Sequence, residues 1–418
     1  MRKSVCFPFF KKGHEQLLMA INTYKDTMSS LILDVHPLSG NDLLEKPSYQ
    51  WICNNETLAR FCQRWSTLRA LALDTEFVRT DTFYPLPGLV QVNTGTMIYL
   101  IDPLTIDCWA PLRDLLENPG VVKVLHACGE DLDVLYILAG ATPRPLFDTQ
   151  LMAAFAGLGY SLGYQKLVNT LLGIEIPKDE TRSNWRQRPL TSAQESYAAL
   201  DVVHLLAVYD AINNRLMGLN AKRWGEEDCS HLQSTLLRAD ITTAWKGVKR
   251  AWQLNRQQLG VLKALCLYQE TQARQRNVPK TRVIPKGSLW PLARYQPDNL
   301  KSLAGIADMK PGIVKKDGEC LLSIIEEAAN QPKASYPSVL PKPLPKETRI
   351  MGKRIKAIME KLATELRLPV QILLPSTVTT AILRRWIITG RLELPDHLQG
   401  WRREVIGRPL IEQLHQQD

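Results

Sequence analysis

The chain has 418 residues, 45% of them hydrophobic, with a net charge of +10; that length fits two or three domains better than one. No run of about 18 apolar residues is present, which predicts no membrane-spanning helix. The apolar patch in MRKSVCFPFFKKGHEQLLMA is too short for a signal-peptide core. Eight scattered cysteines without a C-x-x-C pair, and few histidines, argue against a disulfide framework or a zinc centre and for reduced thiols in a cytoplasmic protein.

Residues 1–46 show no compact pattern and are read as an N-terminal extension. From Tyr49, strand and helix signals alternate. YQWIC reads as a strand, Asn54-Asn55-Glu56-Thr57 as a helix start, and LARFCQRWSTL as the helix. Leu71 to Phe77 (LALDTEF) is a short apolar run that reads as a buried strand. Strand side chains alternate, so Asp74 and Glu76 point the same way. Two carboxylates held that close are costly unless a cation lies between them, and hard oxygen donors suit Mg²⁺ or Mn²⁺ better than Zn²⁺.

A loop with Pro85, Pro87 and Gly88 follows, then a hairpin pair, LVQVN and MIYLID, a short helix, WAPLRDLLEN, and a buried strand, VVKVL. HACGEDLDVLYILAG leads from that strand into a helix and puts Asp131 in its first turn, at a strand's carboxyl end, where α/β sheets place their sites. His126 is expected to be a structural hydrogen-bonder, Asp148 a helix N-cap, and Asp102, Glu130 and Asp133 ordinary solvated or capping acids. In Glu180 to Leu190 (ETRSNWRQRPL), Arg182, Arg186 and Arg188 are placed to meet phosphates while Trp185 stacks on a base; alternatively Trp185 packs this loop against the next helix. That helix opens with a capping box, Thr191 to Gln194, and is expected to run to about Leu206. Tyr197 and Asp201 lie one turn apart on it and share a face.

An acidic turn, Glu226-Glu227-Asp228, precedes amphipathic helices such as AWQLNRQQLGVLKALCLYQETQARQRNV. Residues 331–347 contain five prolines and read as an extended, semi-rigid spacer, followed by a further helical segment rich in Lys and Arg. Residues 1–250 hold 25 Lys and Arg against 27 Asp and Glu, and residues 251–418 hold 27 against 15. An acidic site is therefore joined to a basic region suited to a polyanion.

Asp-x-Glu on a strand, a strand-end Asp and Tyr-x-x-x-Asp together resemble the DEDD superfamily of 3′→5′ exonucleases, in its Tyr-containing subclass. LALDTEFVRTDTFYPLPGLVQV, HACGEDLDVL and LFDTQLMAAFAG are similar to the ribonuclease D family, from about Tyr49 onward. The resemblance implies an α/β ribonuclease H-like exonuclease domain, a mixed sheet with flanking helices, followed by two all-α HRDC-like helical domains. The boundaries expected are 1–46 extension, 47–220 exonuclease, 221–247 connecting helical segment, 248–332 first HRDC domain, 333–347 linker and 348–418 second HRDC-like domain.

By the same resemblance the reaction is two-metal hydrolysis at RNA 3′ ends, with two divalent cations, Mg²⁺ or Mn²⁺, releasing 5′-mononucleotides. Asp74 would bridge both ions, Glu76 and Asp201 hold the one that activates water, and Asp131 the other, directly or through water, with Tyr197 orienting the attacking water or also helping to deprotonate it. Lys280, Arg282, Lys286 and Arg294 are candidate RNA contacts in the helical region. Precursors of tRNA and other small structured RNAs are the implied partners of a cytoplasmic monomer. Two other readings share part of this pattern. A DNA proofreading or repair exonuclease has the same carboxylates, and an RNA-binding adaptor would have lost one of them.

Overall fold

The structure is a computed structural model that describes residues 47–177, 183–232, 234 and 240–415. The readings placed on 1–46 and on Arg182 fall outside these residues. By contacts the chain forms two units. One takes the described residues up to Glu76, those of Leu89–Gln233 and those from Leu344 onward; the other takes Phe77–Gly88 and Ser234–Pro343.

The first unit is built on β1 (Tyr49–Ile52), α1 (Asn55–Trp65), β2 (Ala70–Val78), β3 (Leu86–Asn93), β4 (Ile98–Ile101), α2 (Ala110–Glu117), β5 (Val122–Leu125), α3 (Gly129–Ala139) and β6 (Leu146–Asp148). Helices α4 (Thr149–Phe155), α5 (Tyr164–Leu172), α6 (Ser192–Val203), α7 (Leu205–Arg215) and α8 (Asn220–His231) follow. The six strands form one mixed sheet in the order β1-β4-β3-β2-β5-β6. β1 runs parallel to β4, β3 antiparallel to β4, and β2, β5 and β6 parallel to one another.

Alternation along the strands sorts the two faces. Leu71, Leu73, Val90, Val92, Tyr99 and Ile101 join Leu58, Phe61 and Trp65 of α1, Leu112 and Leu115 of α2, and Leu132 and Leu135 of α3 in one core. Ala72, Asp74 and Glu76 therefore emerge on the opposite face. Asn54 caps α1 by accepting from Thr57 N at 2.8 Å.

Two local readings are corrected, and one short strand, β6, had no reading. β3 already begins at Leu86 and carries Pro87 and Gly88, which had read as loop; a proline close to a strand's start sacrifices little of the ladder. β6 spans only three residues, too few for a periodic signal, yet Asp148 pairs in register with Leu125. The helix after the capping box stops at Val203 rather than near Leu206, and α7 restarts at Leu205. The His204 N–H between them donates to the Tyr164 hydroxyl at 3.2 Å instead of continuing the ladder.

In the second unit, α9 (Arg256–Arg276), α10 (Lys280–Val283), α11 (Leu289–Tyr295), α12 (Leu300–Ala304) and α13 (Pro311–Ala329) enclose a core of Leu259, Leu262, Leu265, Val283, Leu292, Leu303, Leu321 and Ile325. The long helix expected from Ala251 begins only at Arg256. Asn255 and Gln258 form a second capping box there, and the stretch before it folds as 3₁₀ turns. Phe83 belongs to this core, and Phe83 N and Tyr84 N both donate to Asn277 Oδ1, at 3.1 and 3.0 Å.

The proline-rich segment, read as an extended spacer, opens with a 3₁₀ turn over Lys333–Ser335, carries no helix or strand over 337–345, and is not a free spacer. Tyr336 lies so close to α9 that a Cβ on Gly260 would come within 2.8 Å of its ring. Arg256 also donates to the carbonyls of Tyr336 and Pro337. Beyond it are α14 (Thr348–Leu366), α15 (Val370–Leu373), α16 (Ser376–Thr389) and α17 (Arg408–His415), which group with the first unit.

The acidic turn expected at Glu226 to Asp228 lies inside α8. Asp228 accepts from both terminal nitrogens of Arg402 at 2.5 and 2.6 Å and from Trp401 Nε1 at 3.0 Å. Trp401 also stacks on Trp224, ring centroids 5.2 Å apart. These acids are thus a seat for the C-terminal helices. Among the described residues no helix is long and apolar enough to cross a membrane, and seven cysteines are free thiols.

Candidate active site

β2 and α6 bring three of the sequence-selected carboxylates together: one ligand oxygen each of Asp74, Glu76 and Asp201 lie within 4.8 Å of one another. Asp74 and Glu76 come from alternate positions of β2, as the strand period requires. Asp201 comes from α6, whose capping box at Thr191 and Gln194 forms as read. Asp131 stands outside that trio, buried in the first turn of α3, where it accepts from the Thr75 hydroxyl at 2.5 Å.

The four carboxylates act on one another. Burial first, then the charges of Asp131, Asp201 and Glu76, raise Asp74 well above the ordinary carboxylate range. Burial, with Asp201 and Asp131, pushes Glu76 up to about 9. Asp131 and Asp201 are raised mainly by burial. Such a group of acids, oxygen donors throughout, fits a hard divalent cation, whose charge would replace the missing counter-charge.

Tyr197 lies one turn before Asp201, and its hydroxyl donates to that carboxylate. Burial, then the charges of Asp201 and Glu76, raise its pKa, so the phenol keeps its proton and serves as a donor. Its ring centroid is 6.1 Å from that of Trp185, which is 1% exposed. Buried in this way, Trp185 has no open face for a base, and its placement fits packing of the loop against α6. Arg188 is likewise engaged by protein, donating to both oxygens of Asp102 at 2.6 and 2.7 Å. Asp102 is therefore no solvated acid. Burial works against its charge, but the bonds from Arg188 and the Leu104 N–H hold its pKa below the usual range. Asp133, also read as solvated or capping, is 0% exposed.

Asp148 caps α4, accepting from Gln150 N and Leu151 N, and it also takes Cys128 N at 2.9 Å. His126 is a structural hydrogen-bonder. The Thr149 hydroxyl gives its proton to the Leu125 carbonyl, so His126 Nδ1, 2.9 Å away, is the donor to Thr149. Burial lowers the His126 pKa, which keeps the ring neutral.

Sequence reasoning missed two side chains. Thr75, the middle residue of Asp-Thr-Glu, points away from its flanking acids and clamps Asp131; the strand alternation alone carried that signal. Tyr164 senses the charges of Asp201 and Asp74, and nothing in its local pattern marks it.

In the helical region Lys280 pairs with Glu270 and Arg282 pairs with Asp81. Arg294 lies 3.4 Å from Gln258 Oε1. Lys286 lines a cavity of about 540 Å³ with Lys249, Arg250, Lys280 and Trp290, and the Arg250 guanidinium lies 4.1 Å from the Trp290 ring centroid. Arg186 is exposed.

A family model described as a 3′-5′ exonuclease matches residues 49–217, and one for the HRDC domain matches residues 258–325. Ribonuclease D of Pseudomonas paraeruginosa is 48% identical over 369 residues, 88% of this chain and 98% of that protein. The chain belongs to the ribonuclease D family. Ribonuclease D of Escherichia coli is 33% identical over 375 residues, 87% of this chain and 97% of its own length. The crystal structure of Escherichia coli RNase D, described as an exoribonuclease involved in structured RNA processing, matches with a TM-score of 0.79 at 32% identity, covering 88% of this chain and 99% of that one. The protein is thus a metal-dependent 3′→5′ exoribonuclease with a ribonuclease D fold, and RNA is its substrate.

Proposed function

We propose that this exoribonuclease trims 3′ extensions of tRNA precursors and other small structured RNAs, as a cytoplasmic monomer, releasing 5′-mononucleotides. The observation that carries the site assignment is the grouping of Asp74, Glu76 and Asp201 within 4.8 Å. Asp74, Glu76, Asp131 and Asp201 would hold two divalent cations, Mg²⁺ or Mn²⁺. Bound there, such ions stabilise charge on both the attacking and the leaving oxygen of an in-line displacement.

The chain's own residues do the rest. Burial and mutual repulsion make the carboxylates a poor environment for anything but a cation. The Tyr197 hydroxyl, kept protonated and fixed on Asp201, orients the attacking water rather than deprotonating it. Thr75 holds Asp131 in one rotamer.

The domain assignment pairs chemistry with affinity: residues 47–220 hold the reactive site and 221–247 connect, while 248–332 and 348–418, joined by 333–347, hold RNA. Lys280, Lys286 and Arg294 are the proposed phosphate contacts of the first helical domain, with Arg186 beside the site. Lys249 and Arg250 extend that basic surface around the cavity. Arg282 joins them only by exchanging Asp81 for a phosphate.

The test uses a 5′-labelled hairpin RNA with a single-stranded 3′ tail, and its DNA counterpart, with Mg²⁺, Mn²⁺ or EDTA. A metal-dependent ladder that shortens the RNA tail, halts at the stem and yields nucleoside 5′-monophosphates is the expected result. Equal or faster loss of the DNA tail would move the assignment to DNA repair or proofreading.

A further inference from the structure

One buried polar side chain is left over on the sheet face that carries the carboxylates. Gln91 on β3 is 0% exposed, and neither its amide nitrogen nor its amide oxygen has a hydrogen-bond partner among the described residues. Nearly all buried polar groups in folded proteins are paired, and an exception calls for a physical reason. A hydrocarbon would fill the position without that cost. Leu100, directly across from Gln91 on β4, does so and is also 0% exposed.

The strand geometry says what the amide is near. β3 adjoins β2 in the sheet. Val90 and Val92 share the core face with Leu71 and Leu73, so Gln91 lies on the other face, with Asp74 and Glu76. Two residues further on this face, Asn93 donates to the carbonyls of Val202 and Val203 at the end of α6. The helix that carries Asp201 thus covers Gln91's side of the sheet. Its buried positions Ala198 and Ala199 are small. Asn93 anchors the backbone of α6, and Gln91 has no such duty.

We propose that Gln91 is a positioning residue of the metal site, its amide bonding a buried water that in turn bonds the carboxylates of Asp74 and Asp201 from the sheet side. A buried water of this kind needs two to four polar partners; it accepts from the Gln91 amide N–H and donates one hydrogen to each of the two carboxylates. Groups that hold ligating carboxylates from behind set their orientation. This inference rests on the metal-site assignment above.

Gln91→Leu, similar in size and without the amide, separates a positioning role from a merely structural one. In metal-free protein the melting temperature should change little, because a leucine of similar size replaces the water-bonded amide with apolar packing. Mn²⁺ affinity by calorimetry and kcat on RNA should each fall by about tenfold or more, with KM for RNA unchanged. A raised melting temperature with unaltered Mn²⁺ affinity and kcat would overturn the proposal. If the Leu variant does not fold, Gln91→Met, unbranched like glutamine, answers the same question. A metal-free crystal structure of the wild type should place a water within hydrogen-bond distance of the Gln91 amide and a carboxylate, and its absence there also refutes the idea. Failure of the wild type itself to bind Mn²⁺ would sink the metal-site assignment and this inference together, whereas an effect missing only in the variants sinks this inference alone.

Discussion

Asp74, Glu76, Asp131 and Asp201 are costly neighbours, and that cost makes the metal-free protein sensitive to pH. Glu76 has its pKa pushed from 4.5 to about 9 by burial first and by Asp201 and Asp131 next. A carboxylate raised in the fold binds protons that the unfolded chain has already released, so its contribution to stability is full below the ordinary range and is lost as pH rises through the folded value. A bound divalent cation displaces those protons and removes the loss. The stabilisation by Mn²⁺, read as the rise in melting temperature on saturation, should therefore grow between pH 6 and pH 9, with protons released on binding. A shift that does not vary with pH would mean that these carboxylates are ionised without the metal. The identities of these residues were legible in the sequence because the strand period and the helical turn fix who shares a face. Thr75 and Tyr164 were not, since their roles depend on which helix lands over which strand.

At the scale of elements, α8 and the C-terminal helices show what a sequence pattern hides. Glu226, Glu227 and Asp228 read as an acidic turn, and the last segment of the chain only as helical and rich in Lys and Arg. In the fold Asp228 takes the Arg402 fork and the Trp401 indole together. The Asp228 side chain is only 11% exposed. Arg402→Ala leaves that carboxylate partly buried without its cation, a loss of about 3 kcal/mol. The expected result is a lower melting temperature and protease cleavage between residues 344 and 418 at concentrations that spare the wild type. Asp228→Asn combined with Arg402→Ala should recover part of the loss, and equal damage from the single and double variants would show that the pair does not couple. The strands with strong alternation, and the capping boxes, were legible from local chemistry. β6, the early start of β3 and the break at His204 were not, because each is set by a neighbour: β5 for β6, and the Tyr164 hydroxyl for the break.

Over the whole molecule, the charge division read from the sequence is what the proposed division of tasks rests on. Asp74 and Glu76 lie on one sheet face with Asp201 brought to them from α6, and in the helical region Lys249, Arg250 and Lys286 line the cavity beside Trp290. The loop between β2 and β3 belongs by contacts to that helical unit. The claim on which the account depends is that the carboxylate group binds the metal that hydrolysis requires, and Asp74 is its centre. The decisive measurement compares wild type with Asp74→Asn, titrating Mn²⁺ by calorimetry and following a 5′-labelled RNA in the same buffer. The account predicts loss of Mn²⁺ binding, a fall in kcat of about 10³-fold, equivalent to about 4 kcal/mol of transition-state stabilisation, and RNA binding in EDTA equal to that of wild type. Undiminished hydrolysis by Asp74→Asn at saturating Mn²⁺ would contradict it.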